Sequence, residues 1–268
     1  MKYSESKSNG SAAFLVKSYW ELSYGRDEMS GEPEPVLPDG SVELIFDFCD
    51  RFVTYFADGF TQFQPRSIVA GQLTTRLSIG PSGDTDIFGV RLRPEAGSAL
   101  LGISMAEIRD QIIDLRSILG SREDELFEKL AAAADFNARI VIFEDFFSAF
   151  GETAVSMEMR SCVSAQRSAS GSMSVGDCAA YLNWSERRLE RAFNEQIGLS
   201  PKLFARIIRF QTFLDAIGSN DSTLLDGALK AGYYDQAHMI KDFRNFSGVT
   251  PTEYFGRDLV FSGHFLNT

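Results

Sequence analysis

The chain has 268 residues, 44% of them hydrophobic and 24% charged, a composition that excludes disordered and fibrous proteins and suits two domains of ordinary size. Its net charge of −11 argues at first sight against nucleic acid, because a phosphate backbone calls for a basic face. No run approaches the about 18 apolar residues of a membrane span and the opening MKYSESKSNG lacks a signal-peptide core, so a cytoplasmic protein without membrane contact is expected.

From Ala12 to about Leu92, short β-rich runs (AAFLVKSYWELSY, VELIFDF, RFVTYF, RSIVAG, TRLSIG and DIFGVRLR) alternate with turns rich in Pro, Gly and Asp. They predict about six strands in a sandwich or small barrel. At Pro94 the pattern turns helical, through PEAGSALLG, MAEIRDQIIDLRSILG and SREDELFEKLAAAA, the last with Ser121 as N-cap and acids in its first turn. ARIVIFEDFFSAFG, residues 138–151, is too apolar for one amphipathic stripe. It must be covered on two sides, within its own domain or by a second copy, which raises a homodimer as an expectation. A boundary near Gly151 divides the chain into a β-rich domain with flanking helices (1–151) and an all-α domain (152–268), an α+β protein overall.

The all-α part repeats itself at an offset of 50 residues. Ser185, Leu189, Phe193, Gly198, Leu199, Ser200, Pro201 and Phe204 match Asp235, Met239, Phe243, Gly248, Val249, Thr250, Pro251 and Tyr254. In each copy a short helix (about 174–182, then 223–231) ends at Asn183 or Gly232, residues suited to positive φ. A tight turn then leads to a helix capped by Ser185 or Asp235 and closed by Gly198 or Gly248, with Ser-Pro or Thr-Pro starting the next. That is helix-turn-helix punctuation.

At about 100° per residue, Leu189, Ala192, Phe193 and Ile197 share one face of the first such helix, and Arg187, Arg191 and Asn194 the opposite one. In the second copy Met239, Phe243 and Phe246 form the apolar face, while Ala237, His238, Lys241 and Asn245 point away. Both outer faces suit base edges or phosphates. Glu186, Glu190 and Glu195 fit a solvated, salt-bridged face equally well. Charge is distributed in favour of the first reading: residues 172–268 hold 10 Lys and Arg against 11 Asp and Glu, and residues 1–171 hold 16 against 26.

The stretches SVGDCAAYLNWSERRLERAFNEQIGLSPKLFARIIRFQ and TLLDGALKAGYYDQAHMIKDFRNFSGVTPTEYF resemble the paired helix-turn-helix domain of AraC-type transcription regulators, over roughly residues 154–256. The resemblance implies two recognition helices in successive major-groove segments of double-stranded DNA, joined by a central helix at about Pro201–Ile217. It carries onto Arg187, Glu190, Arg191 and Asn194 in the first helix and onto Gln236, Ala237, His238 and Lys241 in the second as contacts to bases or phosphates. Ala237 offers only a methyl group and His238 a pH-dependent donor, so the second helix specifies less than the first. An activator of this kind would also meet RNA polymerase.

VLPDGSVELIFDF, IVAGQ and FGVRLRPEAGSALLGIS are similar to a poorly characterised N-terminal domain found with one branch of these regulators. The resemblance implies a sensing or dimerising domain, often with a pocket in a cupin-like barrel. His238 and His264 both lie in the C-terminal part, which excludes a histidine metal site in that barrel; no cofactor is expected. Arg91 and Arg93 alternate with Val90 and Leu92 on one strand face. They either grip an anionic small-molecule effector or pair with acids such as Glu43 and Asp47. Trp20 and Tyr55 are candidates to line the pocket or to fill the core. Cys49, Cys162 and Cys178 lack CxxC spacing and read as small hydrophobes. With no nucleophile-and-base arrangement and no phosphate loop, no catalytic residue is named. A β-barrel enzyme and a helical protein-interaction module are the rivals of a DNA-binding regulator.

Overall fold

A computed structural model of the chain describes all residues except 29–32, 149–154, 219–222 and 257–268; the expected boundary at Gly151 and His264 fall outside the described residues. The N-terminal strands are β1 (Lys2–Lys7), β2 (Val16–Tyr24), β3 (Glu34–Val36), β4 (Glu43–Asp47), β5 (Phe52–Tyr55), β6 (Thr61–Phe63), β7 (Ser67–Ala70), β8 (Leu77–Pro81), β9 (Thr85–Leu92) and β10 (Ile112–Asp114). They form an antiparallel sheet in the order β1-β2-β9-β4-β7-β10 and a second in the order β3-β8-β5-β6. All six expected strands are present. β1, β3, β6 and β10 are additions that short or polar runs did not signal.

Period-two alternation gives the larger sheet two working faces. Tyr19 of β2, Leu44 and Phe46 of β4, and Phe88, Val90 and Leu92 of β9 face a core closed by α3 (Arg122–Ala131) and α4 (Phe136–Ser148). The Phe143 ring stands edge-on to Tyr19, Phe46 and Phe88, with centroids 6.0, 6.5 and 6.4 Å away. Trp20, Leu22 and Ile87 face the other way, toward Phe52 and Ile79 of the smaller sheet.

On α4, Phe143 and Phe147 are buried in that core and Val141 is exposed. Two expectations change here. After α1 (Gly97–Leu101), MAEIRDQIIDLRSILG is not one helix. A 3-10 turn at Met105–Ile108 gives way to Asp110 at φ +56°, then to β10 on the edge of β7, then to α2 (Arg116–Leu119). The Asp110 carboxylate accepts from Thr74 N–H at 2.6 Å and from Thr74 Oγ1 at 2.7 Å, which anchors the reversal. Ser121 precedes α3 in helical conformation and makes no side-chain cap.

The C-terminal helices are α5 (Met157–Ser168), α6 (Val175–Tyr181), α7 (Glu186–Gln196), α8 (Pro201–Gly218), α9 (Leu224–Lys230), α10 (Gln236–Ser247) and α11 (Pro251–Phe255). Their core is aromatic, built on Phe193, Phe204, Phe210, Phe213, Phe243 and Phe246, and it also buries Cys162 and Cys178. Leu37 of the N-terminal part joins this same core. Its loop docks on α8: Gln211 Nε2 donates to Pro38 O at 2.6 Å, and Gly40, at φ +76°, sits where a Cβ would come within 3.2 Å of the Phe204 ring.

Gly89 of β9 is covered by the Trp20 indole so closely that a Cβ would lie 2.0 Å from Cε2. Gly89→Ala is therefore expected to displace the ring and to destabilise the chain by about 1–3 kcal/mol, read as a shifted urea midpoint with unchanged slope.

Candidate functional site: a nucleic-acid interface and a cavity behind it

Each helix-turn-helix unit is set by local chemistry. Ser174 and Thr223 form capping boxes with Asp177 and Asp226, opening α6 and α9,. Asn183 (φ +54°) and Gly232 (φ +80°) make the turns. Ser185 then accepts from Arg188 N–H and Asp235 from His238 N–H, opening α7 and α10. Gly198 (φ +85°) and Gly248 (φ +75°) close them,.

On α7, Leu189 and Phe193 are buried, while Arg187, Glu190, Arg191 and Asn194 are exposed together. Among the described residues, neither Arg187 nor Arg191 has an ion-pair partner, and none of Glu186, Glu190 and Glu195 is in one either. The salt-bridged face does not form. Arg188 takes a different role, its guanidinium 4.0 Å over the Trp184 ring,. On α10, Gln236, Ala237 and Lys241 are exposed and His238 is half-buried, its ring edge-on to Tyr233 and 4.0 Å from Asp242. Asp242 is itself buried and held by Arg206 of α8 at 2.7 Å, which fixes α10 to the central helix.

The sensor side meets the far ends of both helices. Arg109 donates to Gly198 O at 3.3 Å, and a Cβ on Gly198 would come 2.6 Å from Met105 O. At the other unit, a Cβ on Gly248 would come 3.0 Å from Arg76 Nε. The β-domain approaches each helix at its C-terminal glycine, through a hydrogen bond at Gly198 and the Arg76 side chain near Gly248, and the cationic faces stay open.

Between the two sheets lies a cavity of about 110 Å³, room for a small organic molecule rather than a single water. Its walls are mostly apolar, and Gln211 of α8 and Tyr254 of α11 complete its lining. Arg91, at 2% exposure, lies at one end. Its Nε is 2.6 Å from Glu43 and 3.6 Å from Asp39, and its Nη1 is 4.0 Å from Glu5. Against the desolvation of burial, Glu43 and Asp39 hold this guanidinium charged,. Asp47, three strand positions beyond Leu44, is 5% exposed; Oδ1 accepts from Cys49 N–H at 3.2 Å, and buried Oδ2 finds no partner at hydrogen-bond geometry. Burial raises its carboxyl to about 6, against the pull of the Cys49 and Phe52 amides and of Arg66.

Two family models match this chain. Residues 12–114 match one described as a domain of unknown function (DUF6597), and residues 178–257 match one described as a helix-turn-helix domain. The second match takes in α7 to α11 and both helix-turn-helix units from Cys178 onward. An uncharacterized HTH-type transcriptional regulator of Staphylococcus aureus is 29% identical over 84 residues, covering 31% of this chain and 11% of the relative. The HTH-type transcriptional regulator MtrA of Neisseria gonorrhoeae is 33% identical over 75 residues, covering 28% and 25%. The chain thus spans a quarter or less of these relatives. ToxT from Vibrio cholerae shares the fold: the superposition covers 90% of this chain and 98% of ToxT, with a TM-score of 0.50 at 11% identity. ToxT bound to (E)-4-(8-methylnaphthalen-1-yl)but-3-enoic acid gives 0.50 at 13% identity, covering 94% and 100%.

Within the helix-turn-helix domain, all eight residues expected at a DNA face lie on α7 and α10. In the β-domain the expected residues divide. Trp20 lines the cavity and Arg91 does so paired with acids, Glu43 among them and Asp47 not. Arg93 instead donates to Ala13 O at 2.6 Å, outside the lining. Tyr55 shares with Val53 the outer face of β5, packing on Gly80, because Phe52 and Thr54 take the inward positions. Asp39, Gln211 and Tyr254 were missed as lining residues. Asp47 was legible, since alternation along VELIFDF places Glu43, Ile45 and Asp47 on one face.

Asp47 is a group whose folded pKa lies above its unfolded value, so it binds more protons folded than unfolded between about pH 4 and 6, and stability falls as pH rises through that window. Asp47→Asn is expected to stabilise the chain by about 2 kcal/mol at pH 7.5 and by almost nothing at pH 4, measured by denaturation at the two pH values.

Proposed function

We propose that this chain is a sequence-specific DNA-binding transcriptional regulator whose N-terminal β-domain, about residues 1–151, senses a small molecule, and whose helical domain, about residues 152–268, reads DNA without any catalytic step. The observation that carries the reading is the open face of α7, where Arg187 and Arg191 stand one turn apart with no ion-pair partner among the described residues. An exposed guanidinium without a carboxylate is free to make the bidentate contact that guanine offers in the major groove. The second unit repeats the arrangement with Gln236 and Lys241. The relatives' names as transcriptional regulators and the bound organic acid of ToxT support the two halves of the proposal.

One copy presents both heads, joined by the 18-residue α8. A single copy is therefore expected to cover about two helical turns of DNA, with major-groove contacts about 34 Å apart and no need for a palindrome. Selection of bound duplexes from a random pool tests this, and a protein with no preference for any duplex at moderate salt would belong to the interaction-module class instead.

The roles of the two heads separate in a salt titration. Arg191→Ala is expected to cost about 1–3 kcal/mol and to relax preference at one base position. Lys241, a point charge without a planar fork, is expected to meet phosphate; Lys241→Ala should weaken all sequences about equally and lower the salt slope by about one unit. The reverse pattern exchanges the two assignments.

A further inference from the structure

Strand register sorts the cavity face of the larger sheet into three rows. Arg91, Glu43 and Ala70 share the first, Trp20, Gly89, Ile45 and Ile68 the second, and Leu22, Ile87 and Asp47 the third. Successive rows are about 7 Å apart, two residues along each strand. An apolar, aromatic middle thus lies between two rows that carry charge.

In the first row the Arg91 guanidinium is taken. Glu43, Asp39 and Glu5 all stand within 4.0 Å of it, and Lys17 acts on the same acids. A ligand carboxylate would have to displace one of three carboxylates already in place. A ligand ammonium would have to draw one of them away and leave a buried guanidinium short of a partner. In the third row the Asp47 carboxylate is closed off: Oδ1 accepts from Cys49 N–H at 3.2 Å, the Phe52 amide acts on the same carboxyl, and Oδ2 has no appreciable accessible surface. Arg66, also in the lining, is exposed, so an anion paired with it would stay in water, where such a pair is weak. An ion brought into the middle of the cavity would lose its hydration without gaining a partner, whereas an apolar group is favoured there.

We propose that the cavity takes a neutral, largely apolar molecule, held by contact with Trp20, Ile45, Ile68 and Ile79, and that its closed charged rows select against ions of either sign. This rests on reading the β-domain as a sensor, and it sets that sensor's ligand apart from the acid bound by ToxT.

Trp20 and Trp184 are the two tryptophans of the chain, so Trp184→Phe leaves Trp20 as an optical reporter in the cavity wall. The full chain carrying that change is titrated at pH 7.5 with n-octanol, n-octylamine and n-octanoate, which differ only in head group; the amine and the acid are both ionised at that pH. Octanol is expected to shift Trp20 emission at about tenfold lower concentration than either ion. Thermal stabilisation of the chain with both tryptophans should give the same ranking by mass action, so the result does not depend on the Trp184 variant. Ala70→Leu adds bulk to the first row and is expected to weaken octanol by about fivefold. Ile68→Ala opens the middle row and is expected to favour decanol over octanol more than the unchanged chain does. Octylamine or octanoate binding as tightly as octanol, no response to any of the three, or octanol and decanol binding indifferent to both cavity variants would each overturn the proposal. Duplex binding without ligand, measured on the same preparation, is the separate readout for the regulator reading, so either can fail alone.

Discussion

A guanidinium buried inside a β-domain has to be neutralised where it stands, because an isolated charge in that setting costs several kcal/mol. Arg91 meets this requirement with carboxylates from three separate places in the chain: Glu5 on β1, Asp39 on a loop and Glu43 on the neighbouring strand. The consequences spread outward. The Asp39 loop is held in place by its own side chain, which accepts from Ser41 N–H at 2.8 Å. That loop carries Leu37 into the helical core and Pro38 to Gln211. One buried charge thus closes an end of the cavity and fixes the joint between the two domains.

The joint gives ligand and DNA a shared framework. Gln211 and Tyr254 line the cavity from the helical side, and α8 and α11, on which they sit, belong to the same core as α7 and α10. Occupancy of the cavity biases the helical domain only to the extent that a ligand binds two seatings of that domain with different affinity, and the DNA then returns the same coupling to the ligand.

How much was legible in the sequence follows the range of the interactions concerned. The helix-turn-helix units are specified locally: caps at Ser185 and Asp235, positive φ at Asn183 and Gly232, and a 3.6-residue period that separates Phe193 from Arg191. All of that can be read within a window of about 20 residues. Strands β4, β7 and β9 were legible for the same reason. β10 was not, because Ile112–Asp114 is extended only by pairing with β7, some 40 residues earlier, after Asp110 breaks a run with helical composition. The partners of Arg91 and the lining by Gln211 and Tyr254 depend on contacts between distant segments, which no local pattern encodes. The ambiguity over the charged face of α7 was of another kind: the sequence allows its glutamates and arginines to pair, and only their geometry shows that among the described residues they do not.

The approach of the β-domain at Gly198 puts its contact with α7 at the end of the helix away from Arg187. α7 has 11 residues and so extends about 16 Å. Leu189 and Phe193 seat it in the helical core along the way, so it moves only together with its neighbours. A tilt of that whole unit by about 10° would carry Arg187 about 3 Å, close to the roughly 3.4 Å rise between neighbouring base pairs, and a reseating of the helical domain against the β-domain would reach the operator as a shift of one whole letter.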